Sequence, residues 1–437
     1  MTPDAETFDS FGAELQRIRR ERGLSQPQLA TKVYASRSLV SLWEIGRRTP
    51  SLDQVKELDR ALGVDGRLVE IATGASGLSF NPEWRESLRT VTNMWKHDAS
   101  RRAVIRGAAF SAVALANPLA QWAEHTAEQP SGTGTRRIGT PEVETIRTVA
   151  AAFRSLDNRH GGMTSRDGVV AFLDTEVAPL LHDGQFTSTV APKLLSCTAE
   201  ITQLAGWMSY DSGMHGAAER YFIQALRLAE AAGDIPLGVE ILAGMAHQAA
   251  FLGHGTEAVQ LAEAAMRAAA DCGAAALAAE AAVMAAHGYA VAGEPAQCAR
   301  LLLVAEQTLD RAERDADPQW LGYFDEAYLS AKRGHCLLAV GDNLGAIDAA
   351  RRSLDMNGAY VRGKMFNLSL LATSLAAAGD PDEAVEHGRA ALGLTDVLRS
   401  ARADDYLQRF TTRVGEYDTE SVRQWSTLVG TVEEHSL

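Results

Sequence analysis

Aromatic side chains are scarce in this 437-residue chain, at 6 %, and runs that alternate Val, Ile, Tyr or Thr with polar residues are almost absent. Sheets depend on β-branched and aromatic pairs, so a sandwich or barrel is excluded and the alanine-rich apolar segments predict an all-α fold. Cysteine is sparse too. Cys197, Cys272, Cys298 and Cys336 stand singly inside helical segments, at no spacing that suits a disulfide framework or a zinc site. The sequence lacks a phosphate-cradling glycine loop after a strand, a metal signature and a nucleophile elbow, so neither enzyme chemistry nor a cofactor is expected. It also lacks an apolar core after a basic start at its N-terminus, which points to the cytoplasm and away from a membrane. One stretch, AVIRGAAFSAVALANPLA after Arg101 and Arg102, imitates an export signal or a span. Arg106 interrupts its run of about 17 apolar residues, near the short limit for spanning, and a buried connecting helix is expected instead.

Net positive charge is missing as well, since the whole chain carries −14. The charge is unevenly placed. Residues 17–50 hold eight Lys or Arg against Glu21 and Glu44, whereas residues 140–437 hold 23 basic against 40 acidic side chains. A basic head on an acidic body confines any phosphate contact to the head. Length alone predicts more than one folding unit. Three are marked: a helical head at 8–73, a connector with a Gly/Thr/Arg-rich hinge at 80–140, and a long helical body at 141–437.

The body repeats. Gly213, Gly253, Gly293, Gly341 and Gly379 each head a turn, with small residues five and twelve positions later and another seven positions earlier. Each glycine is expected to end the first helix of a pair, and the small residues let the two helices approach closely. Stacked pairs would form one continuous core, a curved solenoid. The pattern resembles the tetratricopeptide repeat, although its spacings of 40, 40, 48 and 38 residues are longer than that family's usual period.

In the head, Phe11, Leu15 and Ile18 share one face of a first helix closed by Gly23. Ser25 caps a second helix with Pro27 in its first turn, and Ser36 caps a third whose Val40 and Trp43 point inward. Arg37, Ser38 and Ser41 then face outward. The segments SQPQLA, SRSLVSLWEIGRRTPS and LDRALGV resemble the XRE, or phage-repressor-like, helix-turn-helix family over about 60 residues. The resemblance implies a five-helix domain whose third helix enters the DNA major groove, with Arg37, Ser38 and Ser41 on base edges and Gln26 on phosphate. Arg47 and Arg48 in the following turn suit backbone phosphate, Glu44 reads as structural and tied to a nearby arginine, and Leu42 has no assigned role. One head reads few base pairs, so a homodimer on an inverted-repeat operator is expected.

The body segments LAGWMSYDSGMHGAAERYFIQALRLAEAAGD and WLGYFDEAYLSAKRGHC look like the receptor domain of large actinobacterial XRE regulators with such repeats, which implies control of development or secondary metabolism. In tetratricopeptide solenoids the second and ninth residues of each first helix face the concave groove. Position two would hold Glu200, Glu240, Glu280, Tyr328 and Phe366, and position nine Trp207, His247, His287, His335 and Thr373. A peptide or small-molecule effector of cationic or amphipathic character would suit that lining, with the histidines conferring pH sensitivity. A competing reading of the ladder is structural, with the same residues bonding neighbouring helices, and the rival function for the whole chain is an interaction scaffold whose head is secondary.

Overall fold

The protein is all-α. The computed structural model describes residues 5–45, 50–64, 83–100, 109–124 and 134–435, together with residues 48, 68, 78 and 132. In the head, helices α1 (Ala5–Glu21), α2 (Gln26–Lys32), α3 (Arg37–Glu44) and α4 (Leu52–Leu62) enclose a core of their own, built on Phe11, Leu15, Leu29, Val40, Trp43 and Leu58. Local chemistry sets these boundaries. Ser25 and Gln28 form a reciprocal capping box at α2, Ser51 and Gln54 another at α4, and the Ser36 hydroxyl accepts from the Leu39 N–H at α3. The expected fifth helix falls outside the described residues except for Leu68, which is buried in the head core with its N–H on Asp59 at 2.7 Å.

Helices α5 (Trp84–Ser100) and α6 (Ala116–Glu124) lie in the stretch read from sequence as a connector. Both contribute to the core of the repeats, through Leu88, Val91, Met94, Trp95 and Trp122. Asp98 on α5 pairs with Arg166 and accepts from the Tyr221 hydroxyl at 2.7 Å. The hinge folds partly into structure: Arg136–Arg137 pairs in parallel with Gly184–Gln185. Residues 103–108 of the pseudo-span lie outside the described residues, its remainder runs through a 3-10 turn at Ala112–Leu115 into the start of α6, and no helix among those described is long and apolar enough to cross a membrane.

The body begins with α7 (Thr140–His160), α8 (Gly162–Phe172) and α9 (Ala178–Asp183). Five helix pairs follow: α10 (Ala191–Asp211) with α11 (His215–Ala232), α12 (Ile235–Phe251) with α13 (Gly255–Cys272), α14 (Ala275–Val291) with α15 (Pro295–Leu309), α16 (Glu326–Ala339) with α17 (Asn343–Arg352), and α18 (Val361–Ala378) with α19 (Pro381–Leu392). A last pair, α20 (Ala401–Val414) and α21 (Glu420–His435), ends the described chain. The five glycines read from the repeat hold φ between 75° and 94°, a region costly for residues with a Cβ. In each of these turns the residue after the glycine donates its N–H to the carbonyl five positions back at 2.9–3.0 Å, which satisfies the orphan carbonyls of the helix end.

The first helices of the pairs touch in succession, forming an inner row with a solenoid-like packing. The row does not stay open. α18 returns against α7, where Arg362 pairs with Asp157 at 2.8 Å, and the Arg399 N–H donates to the His160 carbonyl at 2.8 Å. Ser400 donates to Asp211 at 2.8 Å. Gly161, with φ of 84°, makes this seam possible, because a Cβ there would stand 2.5 Å from the Arg399 carbonyl oxygen. The concave groove expected of a curved solenoid is thereby narrowed into an inner chamber.

Candidate functional site

The head presents its polar residues on the N-terminal end of α3, anchored from below by Val40 and Trp43. Arg37 and Ser38 are exposed, Ser41 is half-buried, and Arg48 is exposed just beyond the helix; Arg47 lies outside the described residues. The arginine to which Glu44 is tied is Arg19, at 2.9 Å from Nη2 to Oε2, and both side chains are buried. Gln26 joins this network. Its Nε2 donates to Glu44 at 2.9 Å, which fixes the side chain at the start of α2 and leaves the second amide hydrogen for another acceptor. Burial penalises the charge on Glu44, yet hydrogen bonds from Arg19 and Gln26 outweigh that penalty and hold its carboxyl below the usual range.

Sequence reasoning missed Tyr34. It lies in the turn joining α2 to α3, is 96 % exposed, and holds a φ of 50° in the left-handed region that few residues with a Cβ adopt. A signal was present: the chain must reverse between Lys32 and Ser36, and no glycine is available there to do it.

In the body, Trp207, His247, His287 and His335 stand in one row, with successive ring centroids 5.6, 6.5 and 6.1 Å apart. His335 continues the row to Tyr406 on α20, at 5.5 Å. Burial, aided by the nearby Lys332 ammonium, keeps the three histidines neutral, and His287 is drawn down to about 3. They therefore do not change charge around neutral pH, contrary to the pH sensitivity expected of them. Glu240 and Glu280 are bridged by Tyr323, whose hydroxyl oxygen is 2.6 Å from a carboxyl oxygen of each. Glu200 is set apart, paired with Arg154 at 2.9 Å.

Six of the ten groove residues, Trp207, Glu240, His247, Tyr328, His335 and Phe366, line a chamber of about 350 Å³. Glu280 and His287 are packed beneath its wall, and Glu200 lies in an adjoining outer hollow of about 610 Å³. Register reasoning did not find Lys332, Arg362, Phe366's neighbour Arg402, or Tyr323, all of which also line the chamber. Among the described residues no cluster of three His, Cys, Asp or Glu side chains could hold a metal ion.

Two short capped helices, the second presenting exposed arginine and serine from a buried base, define the head as a helix-turn-helix domain. Residues 10–71 match the family described as a helix-turn-helix domain. The chain is 39 % identical over 69 residues to the uncharacterized HTH-type transcriptional regulator y4dJ of Sinorhizobium fredii (strain NBRC 101917 / NGR234), covering 87 % of that protein and 16 % of this chain. It is 30 % identical over 84 residues to the HTH-type transcriptional activator BcrR of Enterococcus faecalis, covering 40 % of that protein and 19 % of this chain. It is also 40 % identical over 55 residues to Multiprotein-bridging factor 1 of Candida albicans (strain SC5314 / ATCC MYA-2876), covering 36 % of that protein and 13 % of this chain. The chain thus spans about two fifths or less of the length of BcrR and of the bridging factor. No solved structure matches it significantly. Through its head the chain belongs to the family of HTH-type transcriptional regulators.

Proposed function

We propose that this protein is a cytoplasmic, sequence-specific DNA-binding regulator of transcription, acting as a homodimer on an inverted-repeat operator. In this reading the head at 8–73 does the reading, 80–140 connects, and the tetratricopeptide-like body at 141–437 receives a peptide or small-molecule effector, mediates dimerisation, or does both. The observation that carries the proposal is the exposure of Arg37 and Ser38 at the N-terminal end of α3, on a head whose residues 17–50 are basic while the body is acidic. Arg37 matches guanine, because its planar fork spans O6 and N7, while Ser38 and Ser41 reach neighbouring base edges. Gln26, Arg47 and Arg48 take phosphate. The target genes, by the resemblance of the body, belong to development or secondary metabolism.

Selection of bound fragments from the source genome by the full chain, wild type beside Arg37→Ala at one fixed salt concentration, tests this. The wild type should enrich an inverted repeat, and the variant should bind it about 5- to 150-fold more weakly, the worth of one bidentate base contact. A wild type that enriches no sequence, or a variant that binds the same site equally well, would overturn the proposal and favour the scaffold.

A further inference from the structure

We propose that the inner chamber is the binding site of a small, ring-bearing carboxylic acid, its carboxylate held between Lys332 and Arg402 and its ring against the aromatic wall. The inference rests on reading the body as a receptor and gives that receptor a ligand class.

Two cations of the chamber lack a close anionic partner. Lys332 and Arg402 are each only 6 % exposed, and buried cations normally have a carboxylate in contact. Among the described residues, Lys332 has neither a hydrogen bond nor an ion pair, and its ammonium lies 5.4 Å from the centre of the Tyr328 ring. Arg402 is stacked on Tyr210 and Phe366, at 4.3 and 4.7 Å. Its nearest carboxylate oxygen, on Asp211, is 3.9 Å away, and its buried Nε has no hydrogen-bond partner. Asp211 is already occupied by Ser400, the Gly162 N–H and Arg362.

The carboxyl groups that suggested a cationic ligand do not supply the missing charge. One Tyr323 hydroxyl carries a single hydrogen yet lies 2.6 Å from both Glu240 and Glu280, so one of the two carboxyls must be protonated and donate to the tyrosine oxygen. Their shared site holds one negative charge at most. Burial and mutual repulsion push Glu280 well above the usual carboxyl range, in accord with that assignment, and desolvation draws Lys332 down to about 7. A ligand carboxylate would satisfy both cations at once with charge-assisted hydrogen bonds.

The walls and the way in fit the same ligand. Trp207, Tyr328, Phe366 and Tyr406 make part of the wall aromatic, and about 350 Å³ lies at the small end of ligand cavities, which suits a single ring system better than an extended peptide. The outer hollow shares Arg154, Asn158, Trp320, Asn357 and Tyr360 with the chamber, and exposed Arg147 and Arg159 stand on its rim to draw in an anion.

The test uses the full chain without DNA. A panel of ring-bearing monocarboxylic acids small enough for the chamber, phenylacetate and indole-3-acetate among them, is set beside the corresponding primary amides in thermal unfolding and calorimetric titration. Acids should raise Tm with concentration, and the amides should bind at least tenfold more weakly. Lys332→Met should weaken acid binding about 10- to 100-fold while raising the Tm of the empty protein, because it removes an unpaired buried charge. Amides binding as well as acids, no acid binding at millimolar concentration, or a Lys332→Met chain that keeps its acid affinity would each overturn the inference. Operator binding is measured separately, so failure of the DNA-reading head and failure of the acid site give different results.

Discussion

Single side chains carry the departures from ordinary geometry, and Tyr34 is the clearest. A residue with a Cβ at a φ of 50° costs roughly 1 kcal/mol more than glycine there, and nothing recovers that cost through burial, since the side chain is 96 % exposed. Tyr34→Gly should therefore stabilise the head by about 0.5–1 kcal/mol, read as slower exchange of its core amides; if the ring serves the DNA interface, operator affinity should fall in the same variant. A head that loses protection on this change would show that Tyr34 supports the turn through contacts worth more than the strain. At this scale the sequence was only partly legible. Arg37, Ser38 and Ser41 could be placed because a serine cap fixes the phase of α3, and helical phase decides which side chains face out. Lys332 and Arg402 could not, because they lie away from the second and ninth positions of the repeat and matter only through what fails to pair with them.

Between elements, the head depends on one buried network that crosses three helices. Glu44 on α3 receives Arg19 from α1 and Gln26 from α2, so each of these helices is held by a charge as well as by its apolar stripe. Glu44→Gln should leave Arg19 buried without its counter-charge and destabilise the head by about 3–5 kcal/mol, the usual cost of breaking such a pair from one side. Hydrogen exchange of amides 11–62 checks this, and unchanged protection would mean that the apolar core alone sustains the helix-turn-helix. The helices themselves were legible because their signals are local: Ser25, Ser36 and Ser51 at the starts, and positive-φ glycines at the ends. The packing of α5 was not, since the contacts of Asp98 with Arg166 and Tyr221 join residues 68 and 123 positions apart and leave no periodic trace in the sequence.

Across the whole molecule, a repeat pattern specifies how neighbouring pairs stack but not where the stack ends, which is why the solenoid was legible and its closure was not. Closure depends on Arg362, which reaches Asp157 at 2.8 Å and Asp211 at 3.5 Å and so joins the fifth of the stacked pairs to α7 and α10. Both acids are buried, and Arg362 contacts each of them, while Arg402 stands 3.9 Å from Asp211. Replacing Arg362 with methionine keeps most of the side chain's volume but leaves the acids short of one cation. The seam should then weaken by a few kcal/mol, and because α18 and α20 supply Phe366, Arg402 and Tyr406 to the chamber, the site should open with it. Small-angle scattering should report a larger radius of gyration for Arg362→Met than for the wild type, while the helix content by circular dichroism stays the same, since each helix is stabilised by its own pair. A variant that unfolds outright would instead show that the repeats cannot stand without closure, and one of unchanged size would place the strength of the seam in the backbone contacts of Arg399 with His160 and Met163.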